Sequence, residues 1–163
     1  MTTKGVVTST DYAHPRRPVA ARLYNRARGI GRPGVLSVPT LLAAARAATG
    51  LNDFGEGSFR EPLEVLVESI NLEARLHPLG LAIMRGRLVA LLENRLRVEA
   101  LVTDQPQIAA IPIRRPLVIA GLQRTGTTLL HRLLAADPRA RSLLSWEALH
   151  PAPLPGEGER GSL

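Results

Sequence analysis

The stretch that most constrains this chain is residues 117–134, Leu-Val-Ile-Ala-Gly-Leu-Gln-Arg-Thr-Gly-Thr-Thr-Leu-Leu-His-Arg-Leu-Leu. An apolar run, Leu117 to Ala120, ends at Gly121, four residues separate Gly121 from Gly126, and Thr127 and Thr128 lead into an apolar segment. The pattern predicts a buried strand, a tight glycine loop and a helix start, which is the layout of a phosphate cradle. Glycines let successive backbone N–H groups converge closely on an anion, and the following helix presents its unpaired first N–H groups and the positive end of its dipole to the same place. The expected fold class is therefore α/β, with a P-loop-type strand-loop-helix unit beginning a parallel sheet and the ligand at the carboxyl end of the strand. One departure from the nucleoside-triphosphate motif matters. Lys-Ser/Thr is wanted after the second glycine, whereas this chain has Thr127-Thr128 and places its cation earlier, as Arg124.

The run G-L-x-R-[ST]-G-T-T-L-L-H-x-L-L-A-x-D-P closely resembles the 5′-phosphosulfate loop of sulfotransferases that use 3′-phosphoadenosine 5′-phosphosulfate (PAPS). The likeness continues through Asp137-Pro138 to Trp146-Glu147, and Phe59 to Ala100 resembles the helical N-terminal region of the family's actinobacterial-type branch. The resemblance implies that Gly121, Gln123, Arg124, Thr125, Gly126, Thr127 and Thr128 bind the PAPS co-substrate, with Arg124 as the catalytic loop cation. It implies Glu147 as the catalytic base for a hydroxyl or amine of a small-molecule acceptor, no metal, and a 3′-phosphate site downstream on elements that this sequence does not contain. The expectation is an N-terminal fragment of such an enzyme. A P-loop kinase or ATPase is the alternative, disfavoured by the missing lysine. A non-catalytic helical remnant is the other.

Composition narrows the partners. Twenty-one Lys+Arg against 14 Asp+Glu give a net charge of +7, which favours an anionic ligand electrostatically. The arginines are dispersed and only 3% of residues are aromatic, so stacking platforms for nucleic acid are not expected. The chain contains no cysteine, which removes disulfides, thiolate metal sites and cysteine nucleophiles. No apolar run approaches the roughly 20 residues that span a bilayer, and a cytoplasmic location is the expectation.

Taken in order, residues 1–36 carry Pro15, Pro18 and Pro33 without sustained periodicity and read as an irregular arm. Residues 37–103 read as a helical region. A short helix is expected over 39–49, with Pro39 in its first turn and Gly50 at its C-terminal cap. An amphipathic helix follows on Leu63, Leu66, Val67, Ile70 and Ala74, and a longer one over 79–102 carries a stripe of Leu81, Met84, Leu88, Leu92 and Leu96. Residues 104–150 read as the start of the phosphate-loop domain, incomplete, with a second short strand at 141–147. Residues 151–163 form a Pro/Gly-rich tail. An unfinished sheet edge in such a piece implies self-association.

Overall fold

The computed structural model describes residues 17–28, 34–122 and 124–153. Their regular elements are helices α1 (Val19–Arg28), α2 (Val38–Thr49), α3 (Arg60–Leu72), α4 (Pro78–Asp104), α5 (Thr127–Ala135) and α6 (Ser145–Leu149), with short 3₁₀ turns at Gly57–Phe59 and Pro106–Ile108. The chain divides into two compact units, residues 1–45 with 56–91 and residues 46–55 with 92–163, whose boundaries fall inside α2 and α4.

In the first unit the periodic apolar positions become the core. Leu41, Leu42 and Ala45 of α2, Leu63, Val67 and Ile70 of α3, Leu88 of α4 and the preceding Leu36 are all buried. The α3 residues follow the i, i+4, i+7 spacing of one helix face. Leu66 is 44% exposed, and α3 ends at Leu72, short of Ala74. Chain entry into α2 is fixed by a two-way clip: the Leu36 N–H donates to Asn71 Oδ1 at 3.0 Å, and Asn71 Nδ2 donates to the Leu36 carbonyl at 2.9 Å. At the start of α4 the His77 carbonyl accepts from the Leu81 N–H at 2.9 Å, and the Leu79 N–H, one of the donors a helix start leaves unpaired, donates to Asn25 Oδ1 at 2.9 Å. Asn25 belongs to α1, which lies in the stretch expected to be irregular. Pro18 ends up immediately before that helix and its carbonyl accepts from Arg22 at 3.1 Å, a position where proline's missing N–H removes no helical bond.

The second unit is built on Leu92 and Leu96 of α4 and on Phe54, with Ala152 also buried. Gly50 caps α2 with φ 71°, a left-handed value natural to glycine at this position. The turn beyond it is pinned by the Gly55 N–H on Asp53 Oδ1 (2.8 Å) and by Arg95 Nε on the Phe54 carbonyl (2.6 Å). Arg46 lies over the Phe54 ring at 5.1 Å, and Arg97 pairs with Glu93 one turn earlier at 3.0 Å. Asn94 Nδ2 donates to the Leu149 carbonyl at 2.5 Å and ties down the end of α6.

The expected α/β class does not hold: among the described residues there is no strand and no sheet. Leu117 and Val118 are 74% and 79% exposed, not buried. A strand exists only through a ladder with a neighbour, and no backbone hydrogen bond joins residues 112–121 to any other described residue. The second expected strand is also replaced. Residues 141–144 are irregular and Ser145–Leu149 form α6, because Glu147, at the third helical position, accepts from the Leu144 N–H at 2.7 Å and so caps a helix start. No helix among the described residues is long and apolar enough to cross a membrane.

Candidate functional site

The glycine loop closes on itself before α5 begins. Arg124 takes φ 66° and Gly126 φ 86°, both left-handed, so the backbone reverses twice within three residues. Thr125 Oγ1 donates to the Leu122 carbonyl at 2.6 Å and cinches the turn. Gly126 is the N-cap of α5, and its carbonyl accepts from the Leu130 N–H at 3.0 Å. The N–H groups of Thr127, Thr128 and Leu129 then lack intrahelical acceptors, as in any first helical turn. Gly121 packs closely against the helix start: a Cβ there would lie 3.0 Å from Thr127 Cγ2 and 3.1 Å from Thr125 Oγ1, so a larger residue obliges these side chains to give way slightly.

An open cleft of about 440 Å³ lies against this helix start, lined by Arg124, Gly126, Thr127, Thr128, Leu129 and Arg132. Among the described residues its polar lining is supplied by the guanidinium groups of Arg124 and Arg132 and the hydroxyls of Thr127 and Thr128, with no carboxylate. Such a lining suits an anion electrostatically. Four of the residues singled out by sequence, Arg124, Gly126, Thr127 and Thr128, thus meet at one place. Gly121 and Thr125 shape the loop from behind without lining the cleft, and the Thr125 hydroxyl proton is committed to Leu122. Gln123 lies outside the described residues.

Glu147 is not among the residues that line the cleft. Its side chain is 18% exposed; one carboxylate oxygen accepts from the Leu144 N–H, and the other pairs with Arg141 Nη2 at 2.6 Å. Beyond α5, Asp137 and Arg139 form a two-pronged ion pair at 2.9 and 3.1 Å, and the Arg139 hydrogen bonds hold the Asp137 carboxyl below its ordinary value. A second open cleft, of about 430 Å³, includes Leu117, Ile119, His131, Leu134, Arg141 and Leu143 in its lining. Among the described residues no group of His, Cys, Asp or Glu assembles to hold a metal ion.

Leu129 and Arg132 also line this cleft, although the loop motif does not point to them. The signal was present: Thr128 and Arg132 stand at i and i+4 and share a helix face.

The loop and the helix start define a class, a glycine turn leading into a helix with its cation, Arg124, inside the loop. Comparison with known proteins makes the class specific. Residues 116–160 match the sulfotransferase family. The crystal structure of sulfotransferase STF1 from Mycobacterium tuberculosis H37Rv is similar with a TM-score of 0.69 and 40% identity, over 76% of this chain and 34% of that one. Sulfotransferase STF9 from Mycobacterium avium is similar with a TM-score of 0.65 and 33% identity, over 74% of this chain and 31% of that one. No curated protein sequence matches the chain. Residues 116–160 thus carry sulfotransferase-family sequence, and the chain spans about one third of the length of these two solved relatives.

Proposed function

We propose that this chain carries the phosphosulfate-binding part of a PAPS-dependent sulfotransferase that acts on a hydroxyl or amine of a small-molecule acceptor. The observation that supports it is the joining of Arg124, Gly126, Thr127 and Thr128 around one cleft at the start of α5, inside the segment that matches the family and with no carboxylate among the described lining residues. The guanidinium and hydroxyl donors suit a phosphosulfate. In this reading residues 37–103 are a helical region and residues 104–150 the loop-bearing one.

PAPS supplies an activated sulfuryl group: the acceptor oxygen or nitrogen forms a bond to sulfur while the bond from sulfur to the 5′-phosphate oxygen breaks. The residues of this chain act on the charges that result. With PAPS bound, the first-turn N–H groups of α5 and the Arg124 guanidinium would stabilise the negative charge that accumulates on the departing phosphate oxygen, and fixed donors of this kind stabilise a transition state without reorganising. Thr127 and Thr128 add hydroxyl donors. Thr125 acts behind the loop, holding its curvature through Leu122. Glu147 is the proposed base on family resemblance, and its oxygens already accept from Arg141 and the Leu144 N–H, bonds that favour its ionised form.

Titration of the 163-residue chain with 3′-phosphoadenosine 5′-phosphate and, separately, with ATP·Mg tests the reading. Tighter binding of the former supports it. Selective tightening by ATP·Mg would defeat it in favour of a nucleoside-triphosphate site.

A further inference from the structure

The cleft holds a second cation that the loop motif does not account for. Arg132 lies on the same helix face as Thr128, four residues on, which places its Cα about 6 Å further along the axis at 1.5 Å per residue. Side chains on a helix lean toward its N-terminus, so an arginine here extends back toward the loop. Its place in the lining beside Leu129 and Thr128 agrees with that direction. No ion pair or hydrogen bond engages Arg132 among the described residues. Arg124 and Arg132 thus bring two positive charges to one cleft that has no acid among its described lining residues.

One monophosphate at the helix start is already provided for by Arg124 and the amides. A second guanidinium one turn away suits a ligand with two linked anionic groups, and its planar fork can give two parallel hydrogen bonds to a tetrahedral oxyanion. We propose that Arg132 is a specificity-determining residue that recognises the sulfuryl end of the phosphosulfate, selecting an anhydride with two linked anionic centres over a phosphate monoester with one. The assignment rests on the reading that residues 121–128 seat the 5′-phosphosulfate. The competing role for Arg132 is structural, since a cation in the last turn of α5 also complements the helix dipole.

The test compares two ligands on the full 163-residue chain: PAPS, which bears both groups, and 3′-phosphoadenosine 5′-phosphate, which lacks the sulfuryl group. Arg132→Gln is expected to weaken PAPS about tenfold, the size of a lost charge-assisted hydrogen bond, and to change the affinity for 3′-phosphoadenosine 5′-phosphate less than twofold. Arg132→Lys, which keeps the charge but not the fork, should recover only part of the loss. Arg124→Gln is expected to weaken both ligands. Equal weakening of both ligands by Arg132→Gln, or no weakening of either, overturns the assignment while Arg124→Gln still reports on the cradle. A lowered melting temperature with unchanged affinities identifies the dipole role and also overturns it. If the unsubstituted chain binds neither ligand, the underlying reading fails and the assignment falls with it.

Discussion

Replacing Gly126 by alanine isolates the backbone of the loop from its contacts. Gly126 sits at φ 86° and ψ 10°, and a Cβ placed on it meets nothing within 4 Å. Steric conflict with neighbours is therefore absent, and the penalty is the intrinsic one for an L-residue in the left-handed region, about 1–2 kcal/mol. It can be expressed in two ways. If the loop keeps its shape, the whole penalty appears as lost folding stability. If the loop relaxes instead, stability is preserved and the cost is met when an anion re-forms the left-handed cap, weakening binding by about 5- to 30-fold at 1.4 kcal/mol per decade. The two losses should sum to about 1–2 kcal/mol however they divide. Urea denaturation gives the first, and titration with 3′-phosphoadenosine 5′-phosphate gives the second. Gly126→Asn, with a side chain that tolerates this region, should recover at least half of the combined loss. An alanine variant that matches the parent in both measurements refutes the idea that the left-handed cap matters to the cradle.

Further outcomes are expected elsewhere. Arg124→Gly relieves a non-glycine residue held at φ 66°; the relief is offset by glycine's greater freedom in the unfolded chain, so denaturation should shift by less than about 1 kcal/mol while anion affinity falls at least tenfold. A large stability loss would show that Arg124 serves the fold instead. Asn71→Ala removes both bonds to Leu36 and should cost about 1–3 kcal/mol, whereas Asn71→Asp, which keeps the acceptor but sets a carboxylate against the Leu36 carbonyl, should do no better; full stability in the aspartate variant would contradict the clip. The lowered carboxyl pKa of Asp137, caused first by the Arg139 side chain, makes its contribution to stability complete above the ordinary value of 3.8 and lost as pH falls through the lower folded value. Melting temperatures from pH 6 to 2.5 should therefore converge for the parent and Asp137→Asn at the acid end, and a gap that widens there would reverse the sign. Because both partners are exposed, the gap at pH 6 should be small and should shrink with added salt.

The helices were legible in the sequence because burial acts through periodicity. Val38–Thr49, Arg60–Leu72 and Pro78–Asp104 stand close to where Pro39, the Leu63–Ile70 face and the Leu88–Leu96 stripe predict them. The Glu93–Arg97 pair follows from the same spacing. The sheet was misread for a physical reason: apolar content at Leu117–Ala120 signals a segment able to become a strand, but the ladder that makes one requires a neighbour, and local sequence does not encode whether one is at hand. At 141–147 the apolar Leu143 and Leu144 hid a capping signal, with Glu147 three residues beyond Leu144. The helix at Val19–Arg28 is masked in the sequence by the prolines around it, although Pro18 sits where a helix accepts one. At the cleft, glycine and threonine spacing was enough to bring four residues together. Arg132 was hidden because motif reading follows the loop, whereas the cleft follows a helix face.

The absence of backbone hydrogen bonds at residues 112–121 to other described residues sets a clock on the molecule. Amide protons there should exchange with deuterium at nearly the rate of an unfolded chain, while those in the buried middle of α4 exchange only through larger openings. The cradle is thus strung between an unprotected stretch and a nine-residue helix. Part of the energy of any anion contact is then spent on ordering its own receptor, and exchange at 117–121 that slows on adding 3′-phosphoadenosine 5′-phosphate would measure that share.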